Sequence, residues 1–128
     1  MKTLLHLILS LAASIGLANA EITDDTMRGL QASATERIEI EVLKASKSWR
    51  PGGSFHKVHA KVTAVSASAS GLKVGDKIAI HYHVSKAPGS YPRTVEKGKL
   101  YKAYLRLDPD KKDKTYGSSA GRGTFVAK

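Results

Sequence analysis

Apolar residues recur at every second position in each strongly patterned segment of this chain, and that spacing commits it to extended strands with one buried face rather than to helices. In Arg37-Ile38-Glu39-Ile40-Glu41-Val42 the even positions are branched and apolar, and acids stand between them. Phe55 to Val65 repeats the scheme, with Val58, Ala60, Val62 and Ala64 expected inside and Lys57, His59, Lys61 and Thr63 outside. Lys77 to Ser85 buries Ile78, Ile80, Tyr82 and Val84, and Leu100 to Leu107 buries Tyr101, Ala103, Leu105 and Leu107. Gly123 to Val126 gives a short fifth strand. Breakers fall between the runs, at Arg50-Pro51-Gly52-Gly53, at Gly71, at Gly75-Asp76, and at Pro88-Gly89, Pro92 and Gly98. The stretch from Asp108 to Ser119 has the composition of a loop. From Asp24 to Ala34 the reading stays open between a short helix, favoured by two aspartates near its start, and a frayed leader.

Residues 1–20 have the three parts of an export signal: Lys2, an almost wholly apolar run from Leu4 to Leu17, and the small residues Ala18-Asn19-Ala20 before a cleavage point. No second apolar segment follows, so no membrane span is expected after cleavage. Removal of those 20 residues from 128 leaves 108, enough for one core. Residues 21–35 then form a leader and residues 36–128 a single barrel domain, expected to be monomeric. A periplasmic or secreted address follows. The chain has no cysteine, so burial and backbone hydrogen bonds alone must hold the fold.

Five short strands with glycine-marked corners suggest an all-β fold, a small five-stranded antiparallel barrel. Two runs also carry a family resemblance. Gly71-Leu72-Lys73-Val74-Gly75-Asp76-Lys77-Ile78 is similar to the turn into a middle barrel strand. Glu96-Lys97-Gly98-Lys99-Leu100-Tyr101-Lys102-Ala103-Tyr104-Leu105 resembles the Gly-Lys-x-Tyr strand of netrin-like barrels of the oligonucleotide/oligosaccharide-binding (OB) type. The resemblance implies a closed OB-like barrel. Secreted metalloprotease inhibitors of that superfamily reach their target's metal through an N-terminal cysteine, and none is present here. The segment from Lys86 to Lys99, where many such barrels place a helix, is rich in proline and glycine.

Charge is divided unevenly. Glu21 to Glu41 holds six acids and two bases, whereas Val42 to Lys128 holds eighteen bases and five acids. The positive part attracts polyanions, with a strength that falls as salt rises. Tyr104 between Lys102 and Arg106, with Tyr91 and Arg93 upstream, offers a ring for stacking and cations for phosphate or carboxylate. An exported address makes a protein or acidic glycan the expected partner rather than nucleic acid.

A sharper constellation follows from two simple hairpins. Pairing Val65 with Lys77 sets His59 opposite His83 and Lys61 opposite His81, and pairing Ala45 with Phe55 sets Glu41 beside His59. Opposed Cβ atoms are about 5 Å apart, so His59, His81 and His83 with Glu41 would suit zinc or copper. The register decides this, because a slip of one residue reverses every side chain. The plainer reading is a polar surface with cross-strand ion pairs, which the neighbouring Lys57 and Lys61 favour. Catalytic signatures are missing: there is no Gly-x-Ser-x-Gly elbow, phosphate loop or His-Glu-x-x-His. The sequence thus points to a non-enzymatic binding module, with a histidine metal site as the alternative.

Overall fold

A computed structural model describes residues 23–86, 91–110 and 114–128. The expected export signal and Pro88-Gly89 lie outside the described residues. One helix, α1 (Asp24–Ser33), precedes six strands: β1 (Glu36–Arg50), β2 (Gly53–Ser68), β3 (Lys77–Ser85), β4 (Leu100–Leu107), β5 (Thr115–Ser118) and β6 (Phe125–Ala127). The strand order β1-β2-β3-β5-β4 returns to β1 through a β1–β4 pairing, which closes a five-stranded barrel of OB-like order. β6 adds to β4 at Tyr101 to Ala103, on the flank that β5 takes from Leu105 to Leu107.

Alternation is realised where the barrel needs it. Ile40, Ala60, Val62, Ile80, Ala103 and Leu105 are fully buried, and the residues that alternate with them are turned outward. Two strands of this length cannot bend around a closed barrel without adjustment. β1 and β2 supply it through irregularities between Arg37 and Ile38, Glu39 and Ile40, and Val42 and Lys44. Each bulge sharpens the local twist and shifts which side chains face inward. At Leu43 the shift inverts the parity of β1: Ile38, Ile40 and Val42 are inward, but beyond it Ala45 pairs with Val58 and Lys44 with the outward His59. On β2 the bulge near Thr63 brings Ala64 opposite the outward Glu39, so Ala64 does not join the core.

The closing strand differs from expectation. Thr115–Ser118, within the segment read as a loop, runs parallel to β3 and antiparallel to β4. Its Tyr116 is fully buried. The Gly123 to Val126 strand divides instead into a 3-10 turn, Gly121–Gly123, and β6. Leu107, expected inside, is 38% exposed because β4 outruns the core at that end.

Helix α1 forms as one of the two sequence alternatives. Thr23 caps it by accepting from the Thr26 amide at 3.2 Å, and Asp24 and Asp25 lie in the first turn. Its docking against the barrel is polar and close. Gln31 donates to the Gly123 carbonyl at 2.9 Å, Arg122 pairs with Asp24, and a Cβ on Gly123 would strike Met27.

One buried charge belongs to the barrel seam. Glu36 is 1% exposed at the start of β1, and its Oε1 accepts from the Ser68 hydroxyl, the Ser70 hydroxyl and the Ser70 amide. Burial alone would raise its pKa, but these donors together outweigh it and hold the carboxyl below its ordinary value. Ser70 also bonds the Tyr116 hydroxyl at 2.8 Å, so the network joins β1, the loop after β2, and β5.

Candidate binding surface

The β1–β2 hairpin turns on only two residues, Pro51 and Gly52, with Arg50 opposite Gly53. Gly52 has φ of 80°, the left-handed region that glycine adopts freely. Both strands therefore run on to the tip, well past the simple hairpin drawn from sequence. β3 supports β2 throughout, from Gly53 opposite Ser85 to Lys61 opposite Lys77. That support is tight. A Cβ on Gly53 would strike the Val84 carbonyl oxygen, and the Lys86 amide donates to the Gly52 carbonyl at 2.7 Å.

The tip carries aromatic and cationic groups on both faces of the ribbon. Outward on β2, Phe55 has the Arg50 guanidinium 5.7 Å and the Lys57 ammonium 6.0 Å from its ring centroid. The His81 ring meets it edge-on at 5.6 Å. On the other face of β1, Trp49 is 71% exposed, and the Lys47 ammonium lies 4.8 Å from its ring centroid. From Lys44 to Lys61 there are five lysines and arginines and no acid. Trp49 and Phe55 are the functional candidates that alternation alone did not single out. A usable signal was nevertheless present, since two aromatics and three cations fall within Lys47 to Lys57.

Beneath the tip, the inner face is packed rather than reactive. His56 is buried, stacks on Tyr82 at 4.8 Å between centroids, and shares a 2.9 Å hydrogen bond with Ser54. Burial, then the charges of Lys47 and His83, depress its pKa, which favours a neutral ring. Tyr82 is pushed up to about 12 by burial and donates to the Arg93 carbonyl. A hollow of about 210 Å³ opens beside this stack, between Ala45 and Lys47 on one side and Thr94 and Val95 on the other.

The expected histidine cluster is spread along the sheet. His59, His81 and His83 do share the outward face, but the β2–β3 register is displaced by four residues from the one assumed. Lys61, not Val65, meets Lys77. His59 stands opposite Ala79, His81 opposite Lys57, and His83 opposite Phe55. The loop after β2 explains the displacement. It turns at Gly71 and Gly75 and tucks Leu72 into the core, which uses more chain than a hairpin. Glu41 pairs with Lys61, with charged atoms 3.7 Å apart, and Lys44 flanks His59. Among the described residues, no group of three histidine or acidic side chains is arranged to hold a metal ion.

The second constellation is also divided. Tyr104 lies opposite Arg37 and lines a hollow with Arg28, Gln31 and Ser66. Lys102 lies opposite Glu39, whose carboxylate is held by Lys128 at 2.9 Å. Arg106 pairs across to Gly117, and Arg93 lines a different hollow with Tyr101 and Phe125, while Tyr91 is half-buried. The positive character of the β4 face is thus partly offset by acids of β1, whereas the β1–β2 tip has none.

Comparison with protein-family models, with curated proteins and with solved structures finds no match to this chain. The chemistry of the surface itself must carry the functional reading.

Proposed function

We propose that this chain is an exported, non-enzymatic binding module that recognises a protein, glycan or other polyanionic partner through the distal β1–β2–β3 ribbon. The observation that carries the reading is Phe55 held among Arg50, Lys57 and His81, with the Trp49–Lys47 pair on the opposite face, at a ribbon tip without acids from Lys44 to Lys61. Cations beside aromatic rings supply both charge attraction and a desolvated contact. The Leu4 to Leu17 run with Ala18-Asn19-Ala20 supports export to the periplasm or medium. Among the described residues no helix is long and apolar enough to cross a membrane.

A binding role also fits the hydrogen-bonded hydroxyl and imidazole of Ser54 and His56. Both are buried, and the ring is committed to its stack on Tyr82. A kinship with netrin-type barrels, drawn from the Gly71 and Gly98 runs, belongs to the same proposal.

Retention on immobilised heparin tests it. The protein should elute late at low ionic strength and progressively earlier as salt rises. Arg50→Glu/Lys57→Glu should elute far earlier, whereas Lys102→Glu/Arg106→Glu should change retention less. Equal losses from both pairs would show that net charge, not this face, does the binding.

A further inference from the structure

The form of the β1–β2 tip restricts what it can meet. Ser48 to Gly52 are all exposed around a two-residue turn, so the tip is convex and presents itself to a plane rather than enclosing a ligand. Trp49 and Lys47 stand on one side of the ribbon, and Arg50, Phe55 and Lys57 on the other. An extended negative surface would therefore find cations on both sides of the indole. The indole is amphipathic, an apolar body with an N–H donor, and such rings settle where hydrocarbon meets water. One of its faces is already covered by the Lys47 ammonium, which leaves a poor open platform for a sugar ring. Gly53 beneath the β3 backbone and the Lys86 to Gly52 hydrogen bond hold the tip in place, so little ordering is required on contact.

We infer that this tip docks on an anionic lipid surface, with Trp49 lodged at headgroup depth and Lys47, Arg50 and Lys57 meeting the lipid phosphates. The inference rests on the polyanion reading and deepens it by naming the partner's chemistry. Cations close to an anionic leaflet each add to the attraction, and the attraction decays over a Debye length.

The chain contains a single tryptophan, so its fluorescence reports the tip alone. With vesicles containing phosphatidylglycerol, the emission of the full chain should move to shorter wavelength, and brominated lipids should quench it. Phosphatidylcholine vesicles should do neither. Lys47→Glu/Arg50→Glu should weaken co-flotation with the anionic vesicles by about tenfold or more, as should raised salt. Trp49→Ala should also reduce flotation while leaving the thermal transition in place. Flotation unchanged by these variants would assign membrane contact to another part of the chain, such as Leu4 to Leu17, and overturn the inference. Heparin retention without any vesicle response would overturn it as well, yet leave the polyanion reading standing. Loss of both would remove both.

Discussion

From Glu36 to Val42, β1 alternates buried and outward residues and lies between two partners, β2 and β4. From Lys44 to Arg50 every residue is exposed, and among the described residues only β2 pairs with it. The bulge at Leu43 separates these halves. Upstream, side chains are selected by the space inside the barrel, so volume and hydrogen-bond satisfaction dominate. Downstream, packing constrains little and the composition becomes cationic and aromatic. One continuous strand thus joins a region that fixes the fold to a region free to contact something else.

The contrast predicts graded effects of substitution. Ile40→Ala, at a fully buried position, should cost about 2 to 5 kcal/mol in denaturant unfolding, because no neighbour can collapse into a barrel core held on all sides. Gly53→Ala should cost about 1 to 3 kcal/mol despite its place near the tip, since the new methyl meets backbone rather than a side chain that can yield. A neutral result there would show that the tip is looser than its contacts with β3 imply.

Glu36→Gln should cost about 1 to 3 kcal/mol by placing an amide donor among donors that now meet a carboxylate. It should also change the acid limb of stability. The Glu36 carboxyl sits below its ordinary 4.5 in the folded state, so its contribution is complete above that value and lost as pH falls through the folded pKa. The variant should lack this part of the decline. His56 provides a second limb with the same sign. Its folded pKa lies below 6.5, so the unfolded chain binds the proton more readily and stability falls as pH drops from about 6.5. His56→Phe keeps a ring against Tyr82 but cannot titrate, and thermal melts at pH 7 and pH 5 should then lie closer together. The smallest effect belongs to the surface. Lys61→Ala removes an exposed pair with Glu41 and should change stability by no more than about 1 kcal/mol.

Four of the five barrel strands were legible as alternation, because their inward positions are branched or aromatic and the residues between them are polar. β5 was not. Thr115-Tyr116-Gly117-Ser118 offers one large apolar residue among hydroxyls and glycine, and it becomes a strand through its place between β3 and β4. The outward placement of the three histidines followed from the same parity. Their separation did not, since register depends on how much chain each connection uses: two residues at Pro51-Gly52, far more around Leu72. Trp49 lies outside the alternation of Arg37 to Val42 because the bulge at Leu43 reverses parity within β1. Its neighbours Lys47 and Arg50 carried the available warning, a concentration of positive charge where a turn would need none.

The half of β1 that pairs with β2 alone among the described residues has a further consequence for the behaviour of the protein at high concentration. Its outer row of amide and carbonyl groups is a template on which a second copy could add a strand and begin a fibre, the usual hazard of an uncovered sheet margin. Lys44, Lys47 and Arg50 make that approach repulsive between like molecules. The same positive charges would therefore act as gatekeepers of solubility, and neutralising them would put colloidal stability at risk together with recognition.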